Sequence, residues 1–286
     1  MKQWTEVITP RRKIFTNTFK DLIEFKDLMF LFVRRDFVAY YKQTILGPFW
    51  YILQPLMQTA VYSIMFGSIF NISSETGVPS MLFYLSGTVS WWYFSQSLIK
   101  TSNTFTENAH IFGKVYFPRL IVPISVLISN LIGFSIQFLL FIGIYIFFLF
   151  GSDADIHFNF TRLLLIPVLV LNMAVLGLAI GLIISSLTSK YKDFKQFIGF
   201  GVQLLMFASP VIIPMSIVIK RFPVWTHMLL KYNPMTPIIE SFRAVFFGKY
   251  EYDFSNLYYS GGVALVLVFI GYVLFSKTEQ NFMDTV

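Results

Sequence analysis

The sequence predicts an all-α polytopic membrane protein with six transmembrane helices, and three observations carry the prediction. First, 56% of the 286 residues are hydrophobic and only 13% are charged, about half the charge of a soluble domain and too little to cover a water-exposed surface. Second, the 22 Lys and Arg and 15 Asp and Glu leave six windows empty: 43–74, 76–99, 120–152, 163–189, 196–219 and 254–276. Each window exceeds the roughly 20 residues a helix needs to cross a hydrocarbon core about 30 Å thick. Third, Lys and Arg alternate in abundance between successive connections. In a six-span chain 16 of them fall with the termini and 6 on the opposite side, which places both termini in the cytoplasm. The net charge of +7 then lies beside the anionic inner leaflet and needs no nucleic acid to explain it.

Residues 1–47 read as a cytoplasmic segment. It carries nine Lys and Arg and no uninterrupted apolar core, so no cleaved secretory signal is expected. Over 14–33, Phe15, Phe19, Leu22, Ile23, Phe25, Met29, Phe32 and Val33 share one helical side, with Lys20, Asp21, Glu24 and Asp27 on the other. That pattern fits an amphipathic helix in the membrane interface, or a soluble helix packed on a partner.

Residues 48–276 hold the six spans, and 277–286 is a polar cytoplasmic tail. Span one covers 48–70, with Pro48 in its first turn and Pro55 inside, where it should kink the helix. Span two covers 81–99. The next segment contains Thr104, Phe105, Thr106 and Glu107, a capping-box pattern that predicts a two-turn helix from Phe105 to Phe112, ended by a left-handed Gly113. Pro118 and Pro123 break the path into span three, 124–150. Span four is 163–186, followed by a turn from Ser189 to Asp193. Span five, 197–219, contains Pro210 and Pro214, so its outer half should be bent or broken. Two short helices follow, one opened by Pro223 and ending near Lys231, the other capped by Thr236 with Pro237 in its first turn and running to Phe247. The second has an apolar face of Ile238, Ile239, Phe242, Val245 and Phe246, so both are expected to dip back into the outer leaflet. Span six is 257–275.

Composition also excludes chemistries. With no cysteine, structural disulfides, thiolate metal sites and cysteine nucleophiles are impossible. A phosphate-cradling loop ends in Gly-Lys-Ser/Thr, whereas Gly113 and Lys114 precede Val115, and Gly248 and Lys249 precede Tyr250. The chain should therefore bind no cofactor of its own, ATP with Mg included. A glycosyltransferase would need cytoplasmic acidic metal ligands, but Asp153 and Asp155 fall on an outer loop. A secondary transporter usually buries an ionisable group within a span, and the six windows contain none.

Several ordered strings resemble the permease subunit of type-two ABC exporters, in particular the family exporting O-antigen, teichoic acid and related polysaccharides. They are Arg35 and Asp36 with Tyr41, Lys42 and Gln43; Leu46 and Gly47; Gly87, Trp91 and Phe94; Asn108; the run from Gly113 to Arg119; Pro123 to Ser125; Tyr191 to Asp193; Ser209 to Val211; Asn233 to Met235; and Phe242 with Arg243. Lys192 stands where the family has Arg, which keeps the charge but loses bidentate geometry. The resemblance implies a homodimer in the bacterial plasma (inner) membrane, two copies of an ABC ATPase, and a lipid-linked polysaccharide moved among membrane lipids. The alternative cargo is a drug or small lipid. It also implies an interface helix, a cytoplasmic coupling helix and paired outer gate helices, the last including Pro237, Ile238, Glu240, Phe242 and Arg243.

Candidate site residues follow from this placement. The ATPase contact is expected on Thr104, Phe105, Glu107, Asn108, His110, Ile111 and Phe112. Gln54, Gln58, Asn130 and Gln137, like Asn172 and Gln203, are polar inside spans and either bond between helices or line a polymer path. Trp50, Tyr51, Tyr62, Trp91 and Trp92 are the aromatic candidates for that conduit. Arg34, Arg35 and Lys42 stand where the interface helix meets span one. They either hold a lipid pyrophosphate at the inner leaflet or serve as positive-inside anchors with an Arg35 to Asp36 ion pair. The charge count gives a topology test. Single cysteines at Glu75, Asp155 and Glu251 should react with an impermeant maleimide from outside, and those at His110 and Lys192 should not. Outside labelling of Lys192→Cys would break the six-span arrangement.

Overall fold

The computed structural model describes residues 22–42, 44–69, 77–115, 117–151, 160–191, 193–248 and 252–281. The expectations for residues 14–21, Gln43, Glu75, Tyr116, Asp153, Asp155, Lys192, Lys249, Tyr250 and Glu251 fall outside them. Among the described residues all regular structure is helical. The order is α1 (Lys26–Tyr41), a 3-10 turn (Gly47–Phe49), α2 (Trp50–Tyr62) continued by a π-helical segment (Ser63–Ile69), α3 (Ser80–Ser102), α4 (Thr104–Phe112), α5 (Ile121–Gly151), a 3-10 turn (Phe160–Leu165) leading into α6 (Ile166–Thr188), α7 (Phe194–Phe207), α8 (Met215–Arg221), α9 (Val224–Lys231), α10 (Met235–Phe246) and α11 (Asn256–Asn281).

Among the described residues three helices are long and apolar enough to cross a membrane unaided: Ile121–Gly151, Phe160–Thr188 and Asn256–Gln280. The 23-residue α3 is missing from that set because it is rich in hydroxyls. It can be polar because it is the centre of the bundle. It packs against α2, α5, α6, α7 and α10, and from Leu82 to Thr104 nearly every residue is buried. Its hydroxyls turn back on the helix's own carbonyls, Ser86 to Phe83, Thr88 to Leu85, Ser90 to Ser86, Ser95 to Trp92 and Ser102 to Ile99. These five hydroxyls need no partner on the neighbouring helices, whereas Ser97 and Thr101 are buried without a hydrogen-bond partner among the described residues.

Close approach to α3 depends on glycine. A Cβ at Gly177 would stand 2.9 Å from the Ser97 Cβ, and one at Gly181 2.6 Å from the Thr101 Cβ. Gly177 and Gly181 are one turn apart, so α6 offers α3 a flat face of the small-xxx-small kind that holds membrane helices together by van der Waals contact. Across α6, Gly271 of α11 meets the Ala179 carbonyl in the same way.

Two aromatic cores result. The larger is built on Phe141, Phe242 and Phe246, with ring centroids 4.8 to 5.5 Å apart, and surrounds α3 and α10. The smaller gathers Phe32, Phe105, Phe112, Phe117, Ile121, Val122, Leu182 and Phe275. There Phe105 stacks on Phe275 at 4.7 Å, and Phe117 contacts Phe32 and Phe112 at 5.7 Å each.

Several local expectations change. Within the described residues the interface helix runs past Val33 to Tyr41. Leu22, Phe25, Met29 and Phe32 pack in or against the second core and Val33 is buried, but Ile23 is exposed. The capping box does not form. Thr104 is already the first residue of α4, and its hydroxyl donates back to the Thr101 carbonyl at 2.7 Å, because α3 ends at Ser102, only two residues earlier. Gly113 closes α4 with ordinary right-handed dihedrals, φ −81 and ψ −15. Thr236 lies inside α10, which opens from Pro234. The final helix continues through Lys277 to Asn281, since Arg119 donates to the Glu279 carbonyl at 2.6 Å and fastens its last turn to the start of α5. The glycine face gives a stability test. Gly181→Val should destabilise the folded protein by about 1–3 kcal/mol, the usual cost of overpacking. Gly143→Val, where a Cβ meets nothing within 4 Å, should change the thermal midpoint of the detergent-solubilised chain far less. Equal midpoints for the two variants would refute the close-contact argument.

Candidate functional site

The expected break in span five is real. α7 stops at Phe207 and the chain resumes helix only at Met215. Pro210 and Pro214 supply no N–H, so the intervening carbonyls have no helical donors. One side chain serves two of them. The Arg243 guanidinium, with no exposed surface, donates from Nη1 to the Pro210 carbonyl at 2.6 Å and from Nη2 to the Val211 carbonyl at 2.8 Å. Its Nε donates to Ser86 Oγ at 3.4 Å, and its plane lies 3.7 Å from the centroid of the Phe83 ring. Gly87 leaves room for it, because a Cβ there would stand 2.8 Å from Nη2.

A buried cation needs a counter-charge. Glu240, one turn earlier on α10, provides it at 3.6 Å and also accepts the Met215 N–H at 3.2 Å, satisfying the first turn of α8. Asn233 closes the other end of the break. Its Nδ2 donates to the Ala208 carbonyl and to Ser209 Oγ, both at 2.8 Å, while its Oδ1 accepts the Met235 N–H at 2.9 Å. Gly87, Ser209 to Val211, Asn233 to Met235 and Arg243, separated in sequence, therefore meet at one point.

α10 is consequently an internal element. All twelve residues from Met235 to Phe246 are buried, Pro237, Ile238 and Phe242 among them. Its C-terminal carbonyls are also served, Ala244 by Arg162 at 3.0 Å and Phe246 by the Tyr145 hydroxyl at 2.9 Å. α9 differs, with Val224, Trp225, Met228, Leu229 and Tyr232 all exposed. The two short helices are therefore unlike, one enclosed by the bundle and one lying on its outside.

The second candidate surface is α4. Thr104, Phe105, Asn108 and Phe112 are buried and fix the helix, whereas Glu107 and His110 are exposed and Ile111 is half-buried. Asn108 donates to the Thr104 carbonyl at 3.0 Å and accepts from Arg35 at 3.3 Å. Arg35 is paired with Asp36 at 2.8 Å and lies over the Phe32 ring. Arg34 and Lys42 are exposed.

The conduit candidates are dispersed. Tyr51 and Trp92 meet edge to face at 5.5 Å over Gly133, and Trp91 is buried against Phe94. Gln58 donates to the Tyr62 hydroxyl at 2.9 Å, and that hydroxyl points to the Met206 sulfur at 3.9 Å. Asn130 accepts from Lys100 at 2.9 Å. Gln137 is buried, with neither amide atom hydrogen-bonded among the described residues. Trp50, Gln54 and Gln203 lie on the outside. Lys100, Ser86 and the buried pair Thr59 and Thr88, 3.3 Å apart, were not singled out by sequence. A lone Lys at the edge of an apolar window reads as an anchor, and hydroxyl residues carry no charge signal.

The buried pair gives a sharp prediction. Arg243→Met strands Glu240 and frees two carbonyls, a loss of about 3–5 kcal/mol for a broken buried pair. Glu240→Gln keeps a carbonyl oxygen for the Met215 N–H and should cost less. Monodispersity and thermal midpoint in detergent measure both, and a milder effect for Arg243→Met than for Glu240→Gln would reverse the assignment.

The comparisons with known proteins agree with this architecture. The ABC-2 type transporter pattern matches residues 27–247. Two O-antigen export system permease proteins of Klebsiella pneumoniae are 26% and 25% identical over 262 residues, covering 90% of this chain and 94% of each relative. A protein of the same description from Myxococcus xanthus is 24% identical over 270 residues, covering 93% of this chain and 98% of its own. The matched region begins in the interface helix, contains both the α4 surface and the Arg243 junction, and ends just after α10, so the chain belongs to the ABC-2 type transporter family.

Proposed function

We propose that this chain is the membrane-spanning permease subunit of an ABC exporter that moves a lipid-linked polysaccharide of the O-antigen class from the cytoplasmic side across the bacterial inner membrane. The observation that carries the reading is likeness along nearly the whole chain to three proteins described as O-antigen export permeases. It acts as a transporter and not as an enzyme, in keeping with its family. In this reading two copies form the path, six spans per copy leave both termini in the cytoplasm, and α9 and α10 form the outer gate.

ATP hydrolysis is assigned to a separate subunit, since the sequence has no phosphate-binding loop. α4 is the proposed contact, because its buried face is locked by Phe105 and Phe112 while Glu107 and His110 remain available. Glu107 lies in the first turn of α4, where a negative charge suits the positive end of a helix dipole. The purified chain should hydrolyse no ATP alone and should bind an ABC ATPase. Ile111→Pro, which removes a helix hydrogen bond and clashes with the preceding turn, should abolish surface polysaccharide per inserted permease. His110→Cys should crosslink to the ATPase. Undiminished export by the proline variant would move the contact elsewhere, with 190–195 as the next segment to test.

A further inference from the structure

Both ends of α11 are bonded to elements that the proposed function singles out. Its last turn, like that of any helix, leaves carbonyls without helical donors. The guanidinium of Arg119, buried in the turn that opens α5, donates to the Glu279 carbonyl at 2.6 Å, and the Glu279 carboxylate accepts the Arg119 N–H at 3.3 Å. The same guanidinium lies 5.4 Å from the centroid of the Phe112 ring, at the close of α4. At the opening of α4, Phe105 stacks on Phe275 of α11 at 4.7 Å. α4 is therefore held to the last turns of α11 twice, directly at Phe105 and through Arg119 at Phe112.

At the other end, the start of α11 grips the junction between α9 and α10. The Tyr259 hydroxyl donates to the Tyr232 carbonyl at 2.8 Å, and the Ser260 hydroxyl donates to the Pro234 carbonyl at 2.7 Å. Tyr232 and Pro234 flank Asn233, whose side chain bonds to the break in span five. Between the two grips runs one helix, Asn256–Asn281, without a proline, about 39 Å long at a rise of 1.5 Å per residue. Its hydrogen bonds lie along its axis, so a push or pull at one end is felt at the other.

We propose that α11 is a tie that carries displacement of α4 to the α9–α10 junction, with Arg119 and Glu279 as positioning residues at one end and Tyr259 and Ser260 at the other. This rests on the reading of α4 as the ATPase contact and of α9 and α10 as the outer gate. The tie is separate from α3, which meets α10 at Arg243 through Ser86, whereas α11 meets the residues that join α10 to α9. A tie also differs from local packing in how its failures combine. Losses at two distant, independent sites add, but a link in series is fully broken at either end, and a second break removes nothing more.

The test uses the complex with its ATPase in liposomes and reads ATP hydrolysed per polymer exported. Arg119→Met cuts the tie at α4, and Tyr259→Phe with Ser260→Ala cuts it at the junction by removing two hydroxyls. Each should raise the ATP used per polymer by about five-fold or more, a common size for coupling between two sites. Arg119→Lys, which keeps a donor for the Glu279 carbonyl, should recover most of the loss at its end. All three substitutions together should raise the ratio no further than either cut alone, while their shifts in thermal midpoint add. A combined rise equal to the product of the separate ones would overturn the proposal. So would an unchanged ratio in the hydroxyl-free variant, which leaves α4 and its surroundings intact, whether or not Arg119→Met assembles. Either result leaves the docking reading standing, whereas failure of the wild-type chain to bind an ATPase would defeat that reading and the tie with it.

Discussion

A broken helix inside an apolar bundle is tolerable only when its freed carbonyls find donors, and here two of them find the same guanidinium. Much of the outer half of the molecule depends on that constraint. Arg243 must lie inside, so the helix that carries it must lie inside. Its charge then calls for Glu240 beside it, and the face of the Phe83 ring lies against the guanidinium. Planarity matters as much as charge. An Arg can serve two successive carbonyls and a hydroxyl at once, whereas an ammonium offers a point charge without the fork. The break is thus stiff where it would otherwise be a hinge.

The two aromatic cores divide the work of the fold. One encloses the broken helix and α10, and the other ties α1 and α4 to the ends of α5, α6 and α11. α3 passes through the first and ends at the second, so a force applied at α4 reaches the Arg243 junction along a single continuous helix. In transport terms, the proposed ATPase contact and the proposed outer gate are joined by a rod and not by a chain of loops.

Much of this was legible in the sequence. Charge-free windows located the long helices because charge is what a hydrocarbon environment excludes most strongly. Pro210 and Pro214 announced the break, and Pro223 announced α9. What sequence did not reveal was partnership over distance. The apolar side of α10 suggested a lipid-facing helix, yet Glu240 and Arg243 on its other side find partners 25 to 33 residues away, which draws the whole helix inward. The capping pattern at Thr104 misled for a local reason, since a helix ending two residues upstream offered the hydroxyl a carbonyl before it could reach forward. Which aromatics line a path also stayed hidden, because Trp91 and Tyr51 satisfy packing as readily as they would a sugar.

The hydroxyl-rich character of α3 bears on how the protein is made. α5, α6 and α11 are apolar enough to leave the translocation channel for lipid one at a time. α3 emerges before any of them, and its lining of Ser and Thr gains little from lipid. Its favourable surroundings are the glycine face of α6 and the flank of α5, both synthesised later. For α3, partition into the bilayer and association with its neighbours are therefore a single event. A nascent chain released before Thr188 would hold its central helix without the surface that buries it.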